Sequence, residues 1–194
     1  MAHYFTNEEN LKSEIKKVKV SMNDINYYFY TDNGVFSKNE LDFGTELLLK
    51  TFVYNNSHEK NFLDIGCGTG AIGIYAAIRG FNVDMCDINK RAINLAKLAL
   101  KNQDIKANVF FSDAYLNINN KYDYILSNPP IRVGKEKLYE IVMNGKNHLK
   151  ENGEIWIVVR KDKGALSLIR DMKFIYNSVD LINRKKGFFI IKAK

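Results

Sequence analysis

A glycine-rich segment preceded by an aspartate is the feature of the sequence that most clearly suggests chemistry. Residues Asp64–Gly70 read D-I-G-C-G-T-G, and they stand where an apolar run ends and a helical pattern begins. Open α/β sheets bind ligands at that position, and glycine lets the backbone approach a ligand because it has no Cβ. Asp87 ends the next apolar run, 21 residues after Gly66. Its carboxylate suits the hydroxyls of a ribose, so the spacing indicates a nucleoside-containing cofactor.

The identity of that cofactor depends on the charge beside the glycines. Residues Gly68–Gly73 also satisfy the G-x-G-x-x-G pattern of dinucleotide-binding folds. Asp64, however, would repel a pyrophosphate and attract an ammonium group such as that of a methionine moiety. The pattern therefore favours S-adenosylmethionine, while a dinucleotide and a tight turn without a ligand remain open.

A third acidic residue follows the next strand-like run. Asp113 comes shortly after Phe110 and Phe111, so it should lie at the next position along the same edge of a sheet. There its carboxylate could accept a hydrogen bond from the amino group of an adenine. An aspartate at the start of a loop or helix can equally serve as a cap, and the sequence leaves both roles open.

The only two prolines of the chain are adjacent, in the segment Asn128-Pro129-Pro130, directly after the apolar run Tyr124–Leu126 and Ser127. Pro129 keeps Asn128 out of helical geometry, and neither proline carries an N–H. The segment therefore presents hydrogen-bond acceptors rather than donors, and an amino group is the complementary ligand. The alternative is an ordinary turn, since asparagine and proline both favour turns.

An exocyclic amino group is a weak nucleophile because its lone pair is delocalised into the ring. The Asn128 side-chain oxygen and the Pro129 carbonyl could accept its two N–H bonds and favour the tetrahedral geometry that attacks a methyl group. The same acceptors would stabilise the positive charge that develops on the nitrogen, which lowers the transition-state energy. The segment thus predicts methyl transfer to an amino nitrogen, with Asn128, Pro129 and Pro130 as catalytic residues.

Apolar runs and helical patterns alternate from Asn61 onward. We expect strands at 62–65, 82–87, 108–111, 124–127 and 154–159, and helices at 71–79, 90–102, 136–149 and 165–172. Such alternation specifies an α/β fold with a mostly parallel sheet covered on both faces. Two closing strands are expected at 178–183 and 188–191. Gly187 between them predicts a hairpin, so the last strand should be antiparallel.

The residues before this domain predict a small appendage. The aromatic run Tyr27–Tyr30 is strand-like, and Thr31–Gly34 (T-D-N-G) is a strong turn signal, so we expect a hairpin over 18–36 with its turn at 31–34. A helix should follow over 40–52. The predicted organisation is an N-terminal hairpin and helix over 1–55 and a cofactor-binding domain over 56–194.

Composition and charge narrow the classes of function. The chain of 194 residues can bury one substantial core, and it has no apolar run of membrane-span length and no signal core, which favours a cytoplasmic protein. The cysteines and histidines lack the spacing of zinc ligands, so no metal is expected, and they lack the spacing of a hydrolytic triad. Residues 111–194 contain 16 Lys and Arg against 9 Asp and Glu. This excess fits a polyanionic partner, and also a solvated lysine-rich surface.

Together, the motifs resemble those of class I methyltransferases that modify amino groups. Within that class, Asp42–Thr45 (D-F-G-T) and Pro130–Lys135 (P-I-R-V-G-K) are similar to the ribosomal small-subunit RNA guanine-N2 methyltransferases of the RsmC type. The resemblance covers the chain from about Lys19 onward. It implies a seven-stranded, Rossmann-like sheet, S-adenosylmethionine as the cofactor, and guanine N2 of ribosomal RNA, naked or in the small subunit, as the methyl acceptor.

The same resemblance extends the set of expected site residues. Those expected to bind the cofactor are Asp64, Gly66, Cys67, Gly68, Gly70, Asp87, Ile88, Asp113, Ala114 and Asn128. Candidate contacts to RNA are Arg132, Lys135, Lys137, Arg160, Lys161, Lys163, Arg184, Lys185 and Lys186. Two departures bear on substrate binding: residue 131 is isoleucine where the family usually has a stacking aromatic, and larger members carry a duplicated N-terminal domain.

Other functions remain open from the sequence. A methyltransferase acting on a protein glutamine or on another base would present the same kind of nitrogen to the same loop, although those branches favour tyrosine at the position of Ile131. A dinucleotide-dependent oxidoreductase would need a catalytic proton donor near the cleft, and a non-catalytic RNA-binding module would need a degenerate cofactor site. The oligomeric state is also open.

Overall fold

Residues 12–35, 40–129 and 134–194 are described by a computed structural model of the protein, in which a two-stranded hairpin and five α-helices accompany a seven-stranded sheet. The hairpin strands are β1 (Lys16–Met22) and β2 (Ile25–Thr31). The helices are α1 (Phe43–Thr51), α2 (Ala71–Ile78), α3 (Lys90–Asn102), α4 (Gly134–Gly145) and α5 (Ala165–Met172). The remaining strands are β3 (Asn61–Ile65), β4 (Asn82–Asp87), β5 (Asn108–Phe111), β6 (Tyr122–Ser127), β7 (Leu149–Arg160), β8 (Val179–Lys185) and β9 (Phe188–Ala193).

The seven-stranded sheet has the order β5-β4-β3-β6-β7-β9-β8. Strands β3 to β7 pair in parallel, whereas β9 is antiparallel to both β7 and β8. This arrangement confirms the predicted α/β class with its antiparallel last strand. After β3 the chain adds β4 and β5 on one side of that strand, and it then returns to add β6 on the other side. Such a reversal creates a crevice at the carboxyl ends of the two central strands.

Both faces of the sheet are buried, as the apolar strands predicted. Along β7, Trp156 and Val158 pack on the side of α1, α2, α3 and the hairpin, whereas Ile155 and Ile157 pack on the side of α4 and α5. The alternation follows from the two-residue period of a strand. Each of these side chains is almost fully buried, so the sheet is a rigid base for the loops at its carboxyl edge.

The hairpin packs on helices α2 and α3, where Val20 and Phe29 join the same apolar cluster as residues of the sheet. On the outer edge of β2, the Gln103 side chain bonds to Tyr28 as a neighbouring strand would. Its Oε1 accepts from the Tyr28 N–H at 3.0 Å, and its Nε2 donates to the Tyr28 carbonyl at 2.8 Å. The boundary expected after residue 55 stays a prediction.

The hairpin turn lies at Asn23 and Asp24, so the expectation of a hairpin turn at 31–34 was wrong; that segment does turn, with the Val35 N–H donating to the Asp32 carbonyl at 3.4 Å, but it joins no pair of strands among the described residues. Both residues have positive φ, 49° and 61°, which a two-residue turn between twisted strands requires and which Asn and Asp tolerate better than most residues. Residues 32–34 instead lead away from the hairpin, and Asn33 and Asp32 contact Arg91 of α3. Phe36, expected in the second strand, lies outside the described residues.

Several other element boundaries differ from the expectation, and three of them by three residues or more. Helix α1 begins at Phe43 rather than near residue 40, because Asp42 is its N-cap. Helix α4 ends at Gly145, and β7 already begins at Leu149, although residues 150–153 read K-E-N-G and suggest a turn. Gly153 permits this early start, since a Cβ there would lie 2.8 Å from the Tyr122 carbonyl oxygen.

Within the ranges described, none of the helices combines the length and the apolar character that crossing a bilayer requires. In the same ranges, no group of three or more His, Cys, Asp or Glu side chains is arranged to hold a metal ion.

Candidate active site

The four motifs singled out from the sequence meet at the carboxyl edge of the sheet. The glycine loop follows β3, Asp87 ends β4, Asp113 follows β5 and Asn128 follows β6. Because these strands are parallel neighbours, their carboxyl ends lie side by side. The Ser127 hydroxyl donates to the Ile65 carbonyl at 2.7 Å, which ties the strand before Asn128 to the strand before the glycine loop. Sequence reasoning gave Ser127 no role.

The glycine loop is held in place by hydrogen bonds to the end of β4. The Gly66 and Cys67 N–H groups donate to the Cys86 carbonyl at 2.9 and 3.0 Å, and the Gly68 N–H donates to Asp87 Oδ2 at 2.7 Å. A loop that binds pyrophosphate aims such N–H groups at the ligand. Here these donors serve the protein's own acceptors, which favours S-adenosylmethionine over a dinucleotide.

Two glycines of this segment serve different purposes. A Cβ on Gly68, whose φ is +53°, would meet nothing within 4 Å, so this backbone faces open space. A Cβ on Gly73 would lie 2.2 Å from the Met85 sulfur, and Met85 is fully buried. Gly68 is therefore available to a ligand, whereas Gly73 allows α2 to pack against β4.

This difference predicts separate consequences for two alanine substitutions. Gly73→Ala should lower the free energy of unfolding by about 2 kcal/mol, because Met85 has no room to move in a packed core. Gly68→Ala should cost about 1 kcal/mol, because a φ of +53° strains a residue that has a Cβ, and it should weaken cofactor binding more than Gly73→Ala does. Urea denaturation and calorimetric titration with S-adenosylhomocysteine measure the two effects. A cofactor affinity in Gly68→Ala no lower than that in Gly73→Ala would contradict the assignment.

Asp64 is fully buried behind the loop. Its Oδ2 accepts from the Gly73 N–H at 2.8 Å, and its buried Oδ1 has no hydrogen-bond partner among the residues that the structure describes. Burial raises the pKa of this carboxyl to about 8, and the charge of Asp87 adds to the shift against the opposing Gly73 bond. An unsatisfied carboxyl oxygen fits the ammonium group of a methionine moiety. The contact itself remains a prediction.

The raised pKa of Asp64 predicts a pH-dependent stability. The folded carboxyl keeps a proton that the unfolded chain releases near its ordinary pKa of 3.8. Its stabilising contribution is therefore complete below about pH 4 and is lost as the pH rises through about 8. Asp64→Asn cannot ionise and keeps an acceptor for Gly73. Its Tm should match that of the wild type near pH 4 and exceed it by a growing margin as the pH rises to about 8, as thermal unfolding across this pH range would show. A Tm difference that is constant across this range would count against the shifted pKa.

The Asp87 carboxylate is fixed by backbone donors on both sides. Its Oδ2 accepts from Gly68, and its Oδ1 accepts from the Asn89 N–H at 2.8 Å. The Ile88 N–H also bonds to this carboxyl. Burial raises the pKa of Asp87, and these three hydrogen bonds oppose the rise. The Asn89 side chain caps α3 through the Arg91 and Ala92 N–H groups, so the carboxylate is held between a loop and a helix start.

Asp113 lies at the next strand end and forms an ion pair with Lys137 of α4 at 2.7 Å. The segment that follows Asp113 is a turn, so Asp113 does not cap a helix. Ala114 is buried, with a φ of 45°, and its carbonyl accepts from the Ser112 hydroxyl at 2.7 Å. Lys137 also pairs with Glu140. It is thus engaged by two carboxylates rather than projecting alone as an RNA contact.

Asn128 contacts the start of α1, a contact that sequence reasoning missed. Its Nδ2 donates to Asp42 Oδ2 at 3.0 Å and to Thr45 Oγ1 at 2.9 Å. The Asn128 oxygen therefore points away from α1 as an acceptor. Pro129 is buried, and Pro130 lies outside the described residues. The only signal for this contact in the sequence was the D-F-G-T segment at Asp42–Thr45, which had been noted without a role.

Basic residues of two strand ends lie beside this helix start. The Lys161 N–H donates to the Gly187 carbonyl at 2.8 Å, which joins the end of β7 to the turn between β8 and β9. The Lys186 ammonium lies 4.9 Å from the centre of the Phe43 ring. We call this surface the basic rim; its residues are Arg160, Lys161, Lys163, Arg184, Lys185 and Lys186. Through Phe43, the rim adjoins Asp42 and hence Asn128.

The strand order and the convergence of the four motifs define the fold of a class I methyltransferase, and the site that the motifs form suits S-adenosylmethionine. The family model for the methyltransferase small domain matches residues 26–192, so the chain belongs to that family of methyltransferases. The matched range therefore contains the glycine loop and all but one residue of β2 and of β9.

Individual relatives agree with this assignment. The chain is 36% identical to the uncharacterized protein YbxB of Bacillus subtilis, over 99% of this chain and 98% of that protein. It is 39% identical to the ribosomal RNA small subunit methyltransferase C of Haemophilus influenzae, over 87% of this chain and 52% of the relative. These relatives confirm the resemblance to RsmC-type methyltransferases that the sequence motifs indicated.

A solved structure supports the fold. The structure of Thermus thermophilus RsmC, a 16S ribosomal RNA N2 G1207 methyltransferase in complex with AdoMet and guanosine, superposes with a TM-score of 0.86 at 20% identity. The superposition covers 95% of this chain and 51% of that one. The chain therefore spans about half the length of the RsmC proteins that it matches.

Proposed function

We propose that the protein transfers the methyl group of S-adenosylmethionine to guanine N2 of small-subunit ribosomal RNA. The observation that carries the proposal is the orientation of Asn128. Both of its N–H bonds are directed to Asp42 and Thr45, which leaves its oxygen to accept a hydrogen bond from an amino group. The RsmC relatives, named as ribosomal RNA small subunit methyltransferases, support ribosomal RNA as the acceptor, and the N2 G1207 activity in the name of the Thermus thermophilus protein supports guanine N2.

The residues of the loop activate the amine by accepting its hydrogen bonds. When bound, S-adenosylmethionine supplies a methyl group on a positively charged sulfur. The Asn128 oxygen and the Pro129 carbonyl accept the two N–H bonds of the guanine amine and direct its lone pair at that methyl group. As the N–C bond forms and the S–C bond breaks, positive charge develops on the nitrogen next to both acceptors. The methylated nitrogen then loses one proton to water.

The cofactor site supplies the remaining interactions. In this proposal, the Asp64 carboxyl receives the ammonium of the methionine moiety, the Asp87 carboxylate receives the ribose hydroxyls, and Asp113 receives the adenine amino group. The backbone at Gly66, Cys67, Gly68, Gly70, Ile88 and Ala114 surrounds the cofactor, and Asn128 contacts it beside the reacting atoms. The free backbone face at Gly68 supports this assignment.

RNA would reach this site across the basic rim. Lys186 and Arg160 lie over the Phe43 and Phe188 rings, at 4.9 and 5.4 Å, and these rings are 5.5 Å apart. Arg160 also pairs with Asp162 at 2.9 Å, but both side chains are exposed and such a pair is weak enough for a phosphate to compete. Cations presented on an aromatic base suit phosphates, because they neutralise charge and release counterions. A ribosomal partner would also place the protein in the cytoplasm.

Radiolabelled methyl transfer tests the proposal directly. The acceptors are small-subunit ribosomal RNA transcribed in vitro and small subunits assembled from that transcript, and nucleoside analysis identifies the product. The proposal expects N2-methylguanosine with at least one acceptor. Label in another nucleoside would show that the target is that nucleoside and not guanine N2. Label in a ribosomal protein only would favour a glutamine methyltransferase, and cofactor binding without any label would favour a non-catalytic module.

Charge reversal on the basic rim provides a separate prediction. Arg160→Glu combined with Lys186→Glu should weaken RNA binding and reduce the slope of log affinity against log salt by about 2, since each basic side chain that contacts a phosphate contributes about 1. The matched control is Lys106→Glu with Lys121→Glu. Both lysines are exposed just before β5 and β6, at the end of the sheet where the parallel strands begin, opposite the carboxyl edge. Filter binding across a salt series measures the slopes. Equal slopes for the two double variants would show that the basic rim does not contact RNA.

A further inference from the structure

We infer that Asp42 and Thr45 are positioning residues that fix the side-chain amide of Asn128 in its accepting orientation and so restrict the reaction to acceptors with N–H bonds. The inference rests on the proposed function and adds a determinant of specificity to it. Its basis is the network of hydrogen bonds between the start of α1 and the loop after β6.

The orientation of Asn128 decides what the site can bind. The two ends of a primary amide have nearly the same shape, but one end accepts hydrogen bonds and the other donates them. With its oxygen toward the cleft, Asn128 binds an amino group. With its NH₂ group toward the cleft, it would repel an amino group and bind a carbonyl instead. A feature that fixes the orientation therefore selects the chemical class of the acceptor.

Asp42 and Thr45 together offer Asn128 two acceptors. The carboxylate of Asp42 only accepts hydrogen bonds. The Thr45 hydroxyl donates its proton to Asp42 Oδ2, so its oxygen is left to accept the second N–H of Asn128 at 2.9 Å. Thr45 is buried, which strengthens its hydrogen bonds and makes an unmatched pairing costly. A flipped Asn128 would place its oxygen against two oxygen atoms.

The carboxylate of Asp42 also has a structural role, which the experiment must separate from the positioning role. Its Oδ1 accepts from the Gly44 N–H at 2.9 Å, and the Thr45 N–H lies 3.4 Å from Oδ1 and 3.3 Å from Oδ2; these bonds cap α1, whereas Asn128 donates to Oδ2 only. Asparagine caps a helix about as well as aspartate does. Asp42→Asn therefore keeps the cap bonds to Gly44 and Thr45 through Oδ1 and replaces the acceptor that faces Asn128 with an NH₂ donor.

Three variants separate the two roles. Asp42→Asn should reduce kcat for RNA methylation about 100-fold, a loss of the size seen when one transition-state hydrogen bond is removed, with little change in Tm or in S-adenosylhomocysteine affinity. Asn128→Asp alone should also be impaired, because it sets two carboxylates against each other. The double variant Asp42→Asn, Asn128→Asp restores a donor–acceptor pair with an oxygen toward the cleft, and it should recover at least tenfold of the lost kcat.

Thr51→Val is the matched control, since Thr51 lies at the other end of α1 and accepts from Asn183 at 3.0 Å. Its kcat should stay at the wild-type value. A wild-type kcat in Asp42→Asn, or a double variant no more active than the weaker single variant, would overturn the inference.

An NMR measurement tests the same orientation without any acceptor substrate. Both side-chain N–H protons of Asn128 should exchange slowly with solvent in the wild type, and this protection should be lost in Asp42→Asn while that of the α1 backbone amides remains. Fast exchange in the wild type would overturn the inference. Because this signal needs only the folded protein, slow exchange supports the inference even if RNA proves not to be the acceptor, so the two proposals can fail independently.

Discussion

Replacing Asn128 with alanine is expected to lower kcat for methyl transfer by about 100- to 1000-fold, a much larger effect than the loss of cofactor affinity, to which Asn128 contributes one contact among many. The substitution removes one of two acceptors for the amine, and the charge that those acceptors stabilise develops only in the transition state. Loss of one preorganised hydrogen bond of this kind has an effect of that size. Single-turnover methyl transfer and calorimetric titration with S-adenosylhomocysteine measure the two quantities separately.

A matched asparagine provides the control for this experiment. Asn108 begins β5 at the opposite edge of the sheet, where its side chain donates to Asp84 at 2.8 Å. Asn108→Ala should retain wild-type kcat. If Asn128→Ala raised KM and left kcat unchanged, Asn128 would contribute to binding the acceptor rather than to the reaction.

Replacing Asp87 with alanine is expected to weaken binding of S-adenosylmethionine and S-adenosylhomocysteine by about 10- to 100-fold, the range for losing hydrogen bonds to one charged group. Two effects contribute. The ribose loses its acceptor, and the glycine loop loses the carboxylate that receives the Gly68 N–H at 2.7 Å. Equilibrium dialysis with labelled cofactor measures the affinity, and limited proteolysis detects loosening of the loop.

Asp180 supplies the comparison for that variant, since it is an exposed aspartate on β8. Asp180→Ala should bind the cofactor as the wild type does. An unchanged cofactor affinity in Asp87→Ala would show that the ribose bonds to a different acceptor. A preference for NADH over S-adenosylmethionine in the wild type would restore the dinucleotide interpretation.

The order of the sheet was predictable because several independent patterns point to it. Apolar strands alternate with helices, and β-strands buried on both faces leave few other architectures. The placement of Asp87, Asp113 and Asn128 followed from that order, because each lies at the end of a strand or within two residues after it, and parallel strands end at one edge. Gly187 correctly marked the closing hairpin, whose strands are antiparallel.

What the sequence could not reveal were the contacts made by segments distant along the chain. Asp42 and Asn128 are 86 positions apart, and no local pattern specifies which helix start meets which loop. The hairpin turn was misplaced because the T-D-N-G segment has a stronger turn composition than Asn23-Asp24, although only the latter pair is flanked by strands of equal length. For the same reason the polar residues 150–153 concealed the first residues of β7, which the pairing of Leu149 with Tyr122 stabilises.

The side chains along the edges of the hairpin affect how the protein behaves at high concentration. A two-stranded sheet exposes unpaired backbone groups on both sides, and such edges can recruit strands from other molecules and initiate aggregation. Here Lys19 is a charged, exposed side chain of β1, Lys17 is exposed with its ammonium 3.5 Å from the centre of the Tyr28 ring, and Gln103 occupies the backbone groups of Tyr28 on β2. Charge thus deters an incoming strand on one side, and an internal hydrogen-bonding mimic blocks it on the other. The hairpin can therefore extend the surface beside the helices without becoming a template for assembly.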